Sequence, residues 1–130
     1  MSDVDVIRAI YEAMAERAFD RLFPLLHPDI VVTQDPSLPW GGRHVGHDGF
    51  ATFGLTLSGT IDSVVTTHAI FQADDEVLQM GHTRGTVKAT GAPFDCAEVH
   101  RWTIADGLAT TAHFAIDTPA MLKALAQKDL

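Results

Sequence analysis

The sequence predicts a single α+β domain over residues 1–130, with helices covering one face of a curved antiparallel sheet. Two observations carry this prediction. Apolar residues recur at helical spacing near the N-terminus, and four apolar runs separated by short turns follow from Ile61 onward. Helices and consecutive strands in separate parts of a chain are typical of α+β domains. A curved sheet closed by helices forms a cone, which is a suitable place for an apolar pocket.

Composition restricts the class of protein. The chain has 130 residues, of which 46% are hydrophobic and 20% charged, so it is expected to fold around one core. Its net charge of −8 disfavours binding to nucleic acid or to an anionic membrane. No apolar run reaches the roughly 18 residues of a membrane span, and Met1–Asp5 does not resemble a secretory signal. We therefore expect a soluble, cytoplasmic protein with no nucleic-acid or membrane partner.

Cysteine and histidine usage gives little support for a metal site. The single cysteine, Cys96, excludes an intrachain disulfide and a thiolate-rich zinc site. Among seven histidines, only His44 and His47 are closely spaced, and they lie in a glycine-rich stretch. Metal ligand sets usually combine tight spacing with attendant carboxylates. We expect neither a metal nor another cofactor.

Two helices are predicted at the N-terminus. The apolar stripe of the first consists of Ile7, Ile10, Tyr11, Met14 and Ala18. Ser2 and Asp5 are spaced to cap its start. A shorter helix is expected from Asp20 to about His27, because the residue before Pro28 is disfavoured in the helical region.

The next part of the chain combines a short strand, a loop and a third helix. Ile30–Thr33 is β-branched and predicts a strand. Gln34–Gly49 is rich in proline and glycine, so a long loop is expected, and such loops are often functional. A helix is predicted over Phe50–Leu57, although Gly54 lowers its propensity by about 1 kcal/mol.

Four strands of an antiparallel meander are predicted after the third helix. Their expected bounds are Ile61–Gln72, Glu76–Ala89, Asp95–Ala105 and Leu108–Ile116. The Asp106-Gly107 pair between the last two is a strong hairpin signal. A final helix is expected to begin with Thr118 as N-cap and Pro119 as its first residue.

The first meander strand carries apolar side chains on both faces. Val65 and Phe71 alternate with Val64 and Ile70, whereas the helices can cover only one side of the sheet. An uncovered apolar face usually marks an interface. The sequence therefore predicts a homodimer packed sheet to sheet.

Asp35 and Tyr11 are the first candidates for chemistry. Asp35 follows the first strand and precedes Pro36, where a carboxylate could stand at the mouth of an apolar pocket. Asp-Pro is also a common turn starter, in which the aspartate caps nearby backbone amides. Tyr11 lies on a buried stripe, and its hydroxyl needs a partner, which can be backbone, water or a ligand.

The order of elements resembles the NTF2-like superfamily, with its cone-shaped, cystatin-like fold, over essentially the whole chain. Two stretches, Glu98–Gly107 and Asp117–Met121, resemble SnoaL-like polyketide cyclases in their aromatic-rich strand, Asp-Gly turn and Asp-Thr helix start. A third, Val32–Pro36, resembles the strand end that carries the general base of ketosteroid isomerases. Tyr11 lies 24 positions before Asp35. This spacing matches the one between the oxyanion-binding tyrosine and the general base of those isomerases.

The isomerase resemblance implies that Asp35 removes a proton α to a carbonyl while Tyr11 stabilises the resulting oxyanion. The isomerases' third residue, a neutral carboxylic acid, has His100 or Val99 at the matching position here. A neutral imidazole can donate one N–H, so His100 is predicted as the second donor. The alternative is a partly buried histidine bonded to backbone.

The remaining candidates line the expected pocket. Predicted substrate-binding residues are Trp40, Phe53, Trp102, Phe114 and Ile116, and strand alternation places Glu98 and His100 on the face of Trp102. His82 and Arg84 are second-choice polar pocket residues, with an exposed or dimer-facing sheet surface as the alternative. Asp117 resembles an acid/base residue of some SnoaL-like cyclases, but its place before a helix is also favourable for negative charge.

The sequence thus predicts a cofactor-free isomerase or cyclase that performs acid–base chemistry on a small apolar carbonyl compound. Cyclisation, dehydration or epoxide opening are related reactions, and a non-catalytic ligand-binding or dimerisation module is the alternative from another class. A catalytic Asp35 should be buried near Tyr11 and His100, with a raised pKa. An Asp35 that caps its own loop favours the binding module.

Overall fold

Helices and strands follow the predicted order in the computed structural model, which describes residues 1–128. The elements are α1 (Asp3–Ala15), α2 (Phe19–Leu22) with a 3-10 turn (Phe23–Leu25), β1 (Leu26–Gln34), β2 (Gly42–Val45), α3 (Gly46–Thr60), β3 (Ile61–Ala73), β4 (Glu76–Val87), β5 (Pro93–Ala105), β6 (Leu108–Ile116) and α4 (Thr118–Leu125). The α+β class and the four-stranded meander are confirmed.

All the strands belong to one curved, unclosed sheet with the order β2-β1-β6-β5-β4-β3. The meander from β3 to β6 is antiparallel, whereas β1 joins β6 in parallel. Register shifts occur between Thr67 and Ala69 on β3 and between Thr103 and Ile104 on β5. Bulges of this kind bend a strand and increase its twist, so they help the sheet to curve towards the helices.

The inner face of the sheet, on which Trp102 and Phe114 are buried, packs against the helices. α1 contributes Val6, Ile7 and Ile10, each at most 1% exposed. Burying one such side chain stabilises the fold by about 1.5–3 kcal/mol. The predicted capping box of α1 is confirmed, since the side chains of Ser2 and Asp5 each accept a hydrogen bond from the other's backbone N–H. The interior is therefore filled largely by apolar side chains.

The outer face of the sheet is the side on which Met80, Arg101 and His113 are exposed. Several large apolar side chains are exposed here, among them Phe71 at 39% and Met80 at 42%. A pocket of about 210 Å³ also lies on this face, with Arg101 and His113 in its wall. The outer face thus combines apolar side chains with charged ones.

Two predictions between the second and third helices are wrong. The short helix ends at Leu25, before His27, because Leu26 already begins β1 and pairs with Ala109 of β6. The expected loop over Gln34–Gly49 contains β2 and the start of α3. β2 pairs with β1 in antiparallel fashion, a long-range interaction that glycine and proline content does not reveal.

The N-cap of α4 is Asp117 and not the predicted Thr118. The Asp117 carboxylate accepts a hydrogen bond from the Ala120 backbone N–H at 3.2 Å. Its negative charge is also favourable at a helix N-terminus. Asp117 is exposed, so its second-choice assignment as a polar pocket residue is wrong and its structural alternative holds.

Candidate functional site

Two of the three predicted catalytic residues meet on the inner face of the sheet. The Tyr11 hydroxyl of α1 lies 2.6 Å from His100 Nδ1 on β5. The Trp102 indole N–H donates to the same hydroxyl oxygen at 3.0 Å. The predicted alternation of β5 is confirmed, because Glu98, His100 and Trp102 are all buried while Arg101 is exposed.

Aromatic rings surround the Tyr11–His100 contact. The Phe114 ring centroid lies 4.6 Å from that of His100 and 5.5 Å from that of Trp102. Phe53 of α3 stacks on Phe114 at 5.4 Å. The hydroxyl and the imidazole therefore lie in apolar surroundings, where electrostatic interactions are stronger than in water.

Glu98 completes this arrangement. Its side chain is 1% exposed, and its Oε2 lies 3.2 Å from His100 Nε2, within ion-pair distance but without hydrogen-bond geometry. Neither carboxylate oxygen has another hydrogen-bond partner among residues 1–128. We refer to Tyr11, Glu98, His100 and Trp102 as the polar cluster. The sequence predicts Glu98 on this face without a functional role, although its spacing of two from His100 is the signal that could have indicated one.

Burial shifts the pKa values of three members of the polar cluster. It raises the pKa of Glu98 to about 7, although the nearby Gln79 amide and His82 act in the opposite direction. The Gln79 amide nitrogen itself donates to Thr67 Oγ1 at 3.0 Å and not to the carboxylate. Burial lowers the pKa of His100 to about 3 and raises that of Tyr11 above its ordinary value. Glu98 is therefore the member of the cluster that changes charge near neutral pH.

Asp35, the predicted general base, does not join the cluster. It is exposed, and its Oδ1 accepts hydrogen bonds from the Ser37 hydroxyl at 2.6 Å and the Ser37 backbone N–H at 2.9 Å. These bonds hold the pKa of Asp35 below its ordinary value. The expectation of a buried Asp35 with a raised pKa is therefore wrong. Its alternative, an aspartate that caps its own turn, is what the structure shows.

The neighbour of Asp35 explains its orientation. Gln34 takes the buried position at the end of β1 and is 6% exposed. Its amide oxygen accepts a hydrogen bond from the Trp40 indole N–H at 2.7 Å. Since successive strand residues point to opposite faces, the burial of Gln34 directs Asp35 outward.

The predicted substrate-binding residues lie on the inner side of the sheet. Four of them, Trp40, Phe53, Trp102 and Phe114, are buried, and Ile116 is half-buried. Trp40 is 1% exposed, so it is part of the packed interior and does not form a flap at the surface. Contact of these side chains with a substrate stays a prediction.

His82 and Arg84 lie on the outer face, so their second-choice assignment to the pocket is wrong. Both bind Asp95 of β5, through His82 Nδ1 at 2.7 Å and Arg84 Nε at 2.9 Å. The register explains their direction. Gln79 of β4 is buried opposite His100, and alternation then turns the even-numbered residues of β4 outward.

Metal-ligating side chains are dispersed. Within residues 1–128, no three His, Cys, Asp or Glu side chains are placed so that they could hold a metal ion. In the same part of the chain, no helix has the length and apolar character needed to cross a bilayer.

Comparison with known families agrees with the fold and with the resemblance seen in the sequence. The chain belongs to the family of SnoaL-like domains, whose model matches residues 7–112. The sequence matches no curated protein. The predicted SnoaL-like resemblance is confirmed by this match.

Solved structures share the whole fold at low sequence identity. An NTF2-like protein from Burkholderia thailandensis superposes with a TM-score of 0.90 at 21% identity, covering 98% of this chain and 99% of that one. IdmH, a proposed polyketide cyclase from Streptomyces antibioticus, superposes with a TM-score of 0.76 at 24% identity, covering 98% of this chain and 100% of that one. A Catenulispora acidiphila protein with a ketosteroid isomerase-like fold, in complex with trimethylamine, superposes with a TM-score of 0.79 at 15% identity, covering 95% of this chain and 93% of that one. At these identities the likeness establishes the fold alone.

The raised pKa of Glu98 predicts how stability changes with pH. Because the pKa is about 7 in the folded state against an ordinary value of 4.5, the folded state holds this proton more tightly than the unfolded state. The resulting stability is complete below pH 4.5 and is lost as the pH rises through 7. Glu98→Gln, which stays neutral, should exceed the wild type in free energy of unfolding by on the order of 3 kcal/mol at pH 8 and by little at pH 5.

Urea unfolding at the two pH values measures this difference. Glu76→Gln is the matched control, because Glu76 is partly exposed and its carboxylate is already stabilised by Arg101. The control should gain no stability at pH 8. An equal gain for Glu98→Gln at pH 5 and pH 8 would show that burial of the charge is not the cause.

Proposed function

We propose that this protein binds a small apolar carbonyl compound on the inner side of the sheet and performs cofactor-free acid–base chemistry of the isomerase or cyclase type. One observation carries the proposal: the Tyr11 hydroxyl and the His100 imidazole are hydrogen-bonded at 2.6 Å among aromatic rings. An apolar site with a few convergent polar groups is characteristic of small-molecule binding. The likeness to a proposed polyketide cyclase is consistent with this class of reaction.

The chemistry concerns the carbonyl oxygen of the ligand. When a proton α to the carbonyl leaves to water or to a buffer base, its electron pair moves onto that oxygen as negative charge. A preorganised donor such as the Tyr11 hydroxyl stabilises this charge, typically by about 2.7–4 kcal/mol. The Trp102 N–H fixes the hydroxyl oxygen from one side, so the donor is held before the ligand arrives.

A ligand would reach the polar cluster beside Tyr11, because this residue is the least buried member of the cluster. Phe53 and Phe114 stack against each other next to His100. A bound ligand must displace part of this aromatic packing, which favours an apolar, planar compound over a polar one.

A non-catalytic binding module is the second candidate, and Asp35 favours it. The residue expected to remove the proton is exposed and caps its own turn through Ser37. The inner side of the sheet therefore holds groups that can bind and polarise an oxygen, while the predicted base lies elsewhere.

Exchange of α-protons on small cyclic ketones, followed by NMR in deuterated water, separates the two candidates. Wild-type protein should accelerate exchange, and Tyr11→Phe should reduce the acceleration by about 10²–10³-fold, because one oxyanion donor is lost. Asp35→Asn should leave the rate nearly unchanged, since asparagine also caps turns. Ketone binding without accelerated exchange would identify a binding module, and a large loss in Asp35→Asn would restore Asp35 as the base.

The outer face supports a second proposal, a homodimer. Met80 is 42% exposed on this face and Phe71 39%, as expected for a sheet surface that meets another copy. Light scattering at micromolar concentration should give twice the 14.1 kDa mass of the chain. Met80→Lys should halve that mass because it places a charge in the interface. Leu55→Lys, at an equally apolar but 73% exposed position on α3, should not. A 14.1 kDa wild-type particle would refute the dimer.

A cytoplasmic location stays a prediction from the sequence.

A further inference from the structure

The polar cluster ends on a carboxylate that no neighbour satisfies. Glu98 is 1% exposed at its side chain, and neither of its oxygens accepts a hydrogen bond from residues 1–128. A buried polar group without a partner costs about 1–3 kcal/mol, and more when it is charged. Glu98 Oε2 lies 3.2 Å from His100 Nε2. This distance is within the range of a hydrogen bond.

The protons of the polar cluster can be placed in two ways that satisfy every hydrogen bond between Glu98, His100 and Tyr11. In the first, Glu98 is ionised and accepts the proton of His100 Nε2. His100 Nδ1 is then an acceptor, so the Tyr11 hydroxyl donates to it. In the second, Glu98 is neutral and donates to His100 Nε2, so that Nδ1 carries the proton and donates to the Tyr11 oxygen. A neutral imidazole has one donor and one acceptor nitrogen, so a change at one nitrogen reverses the other.

The two arrangements differ in what Tyr11 offers to a ligand. In the first, its single O–H is already used by His100. In the second, the tyrosine oxygen accepts from His100 Nδ1 and Trp102 Nε1, and its O–H is released towards any neighbouring acceptor. An oxyanion donor needs this free O–H.

We propose that Glu98 is a positioning residue that selects the tautomer of His100 and thereby directs the hydroxyl proton of Tyr11 either to His100 or to the ligand. We call this change of the His100 tautomer with the charge of Glu98 the tautomer switch. It rests on the geometry of the cluster, and its consequence for catalysis rests on the function proposed above. A neutral Glu98 corresponds to the arrangement that is ready for a carbonyl ligand.

Further polar and titratable groups lie near the Glu98–His100 pair. Gln79 of β4 faces Glu98 on the inner side, and Tyr11 reaches the pair from α1. His82 lies across the sheet on the outer face and lowers the pKa of Glu98, and His113 of β6 lowers that of His100. Cys96 of β5 is a further titratable neighbour, because the charge of Glu98 contributes, after burial, to raising the pKa of its thiol, as do the charges of Asp117 and Asp95. Burial outweighs these influences, so the switch falls near pH 7 and His100 stays neutral through it.

Nitrogen-15 NMR of the histidine rings in ligand-free, wild-type protein tests the switch directly, because the two tautomers and the imidazolium have distinct shifts. The His100 signals are assigned by their loss in His100→Asn. We expect the proton on Nε2 at pH 9, on Nδ1 at pH 5.5, and a midpoint near pH 7. The same tautomer at both pH values, or protons on both nitrogens at pH 5.5, would overturn the proposal.

Two variants tie the switch to Glu98. Glu98→Gln keeps the shape but cannot ionise, so the tautomer of His100 should no longer change between pH 5.5 and 9. Glu76→Gln removes a carboxylate from the outer face of the neighbouring strand and should leave the switch intact. A switch that persists in Glu98→Gln, or disappears in Glu76→Gln, would contradict the assignment.

These readouts are independent of activity. If no ketone is bound or exchanged, the proposed function fails while the tautomer switch stands. If exchange occurs but the tautomer is fixed, the proposed function stands and the role of Glu98 fails. Should Glu98→Gln fold poorly, the wild-type titration alone still decides the proposal.

Discussion

The alternation of β5 is the constraint on which the site depends. Side chains at every second position turn inward, so one strand delivers Glu98, His100 and Trp102 to the same face. α1 then needs only one residue, Tyr11, to connect the helical layer with the sheet through hydrogen bonds. Since the strand is paired on both sides by β4 and β6, its register cannot slip by one residue without moving the whole set to the outer face.

The polar cluster is costly for the fold, which is a reason to regard it as functional. An apolar residue in place of Glu98 would avoid the burial of a carboxylate, and a buried charge without a good partner is strongly unfavourable. Perturbed titratable groups on the apolar side of a sheet are common at functional sites, although structural networks also produce them. Here the perturbed carboxylate, the imidazole and the hydroxyl lie side by side, since Glu98 Oε2 is 3.2 Å from one nitrogen of His100 and the Tyr11 hydroxyl is 2.6 Å from the other.

Much of the fold could be predicted from the sequence because its signals are local. The bounds of β6 and the shared face of Glu98 and His100 follow from a period of two along the chain. The direction of Asp35 could not be predicted in this way. It depends on the burial of Gln34, whose amide oxygen accepts a hydrogen bond from the Trp40 indole N–H across the intervening turn. The pairing of β2 with β1 is likewise invisible to local pattern, and so is the burial that raises the pKa of Glu98.

If a carbonyl ligand contacts the polar cluster, the indole N–H groups of the two tryptophans should report its binding directly. The indole N–H of Trp102 donates to Tyr11 inside the cluster, whereas that of Trp40 donates to Gln34 outside it. In a nitrogen-15 NMR titration with a small cyclic ketone, the Trp102 indole signal should shift strongly and that of Trp40 much less. Tyr11→Phe should remove most of the Trp102 shift. Unchanged signals at saturating ketone, or a shift confined to Trp40, would contradict the account.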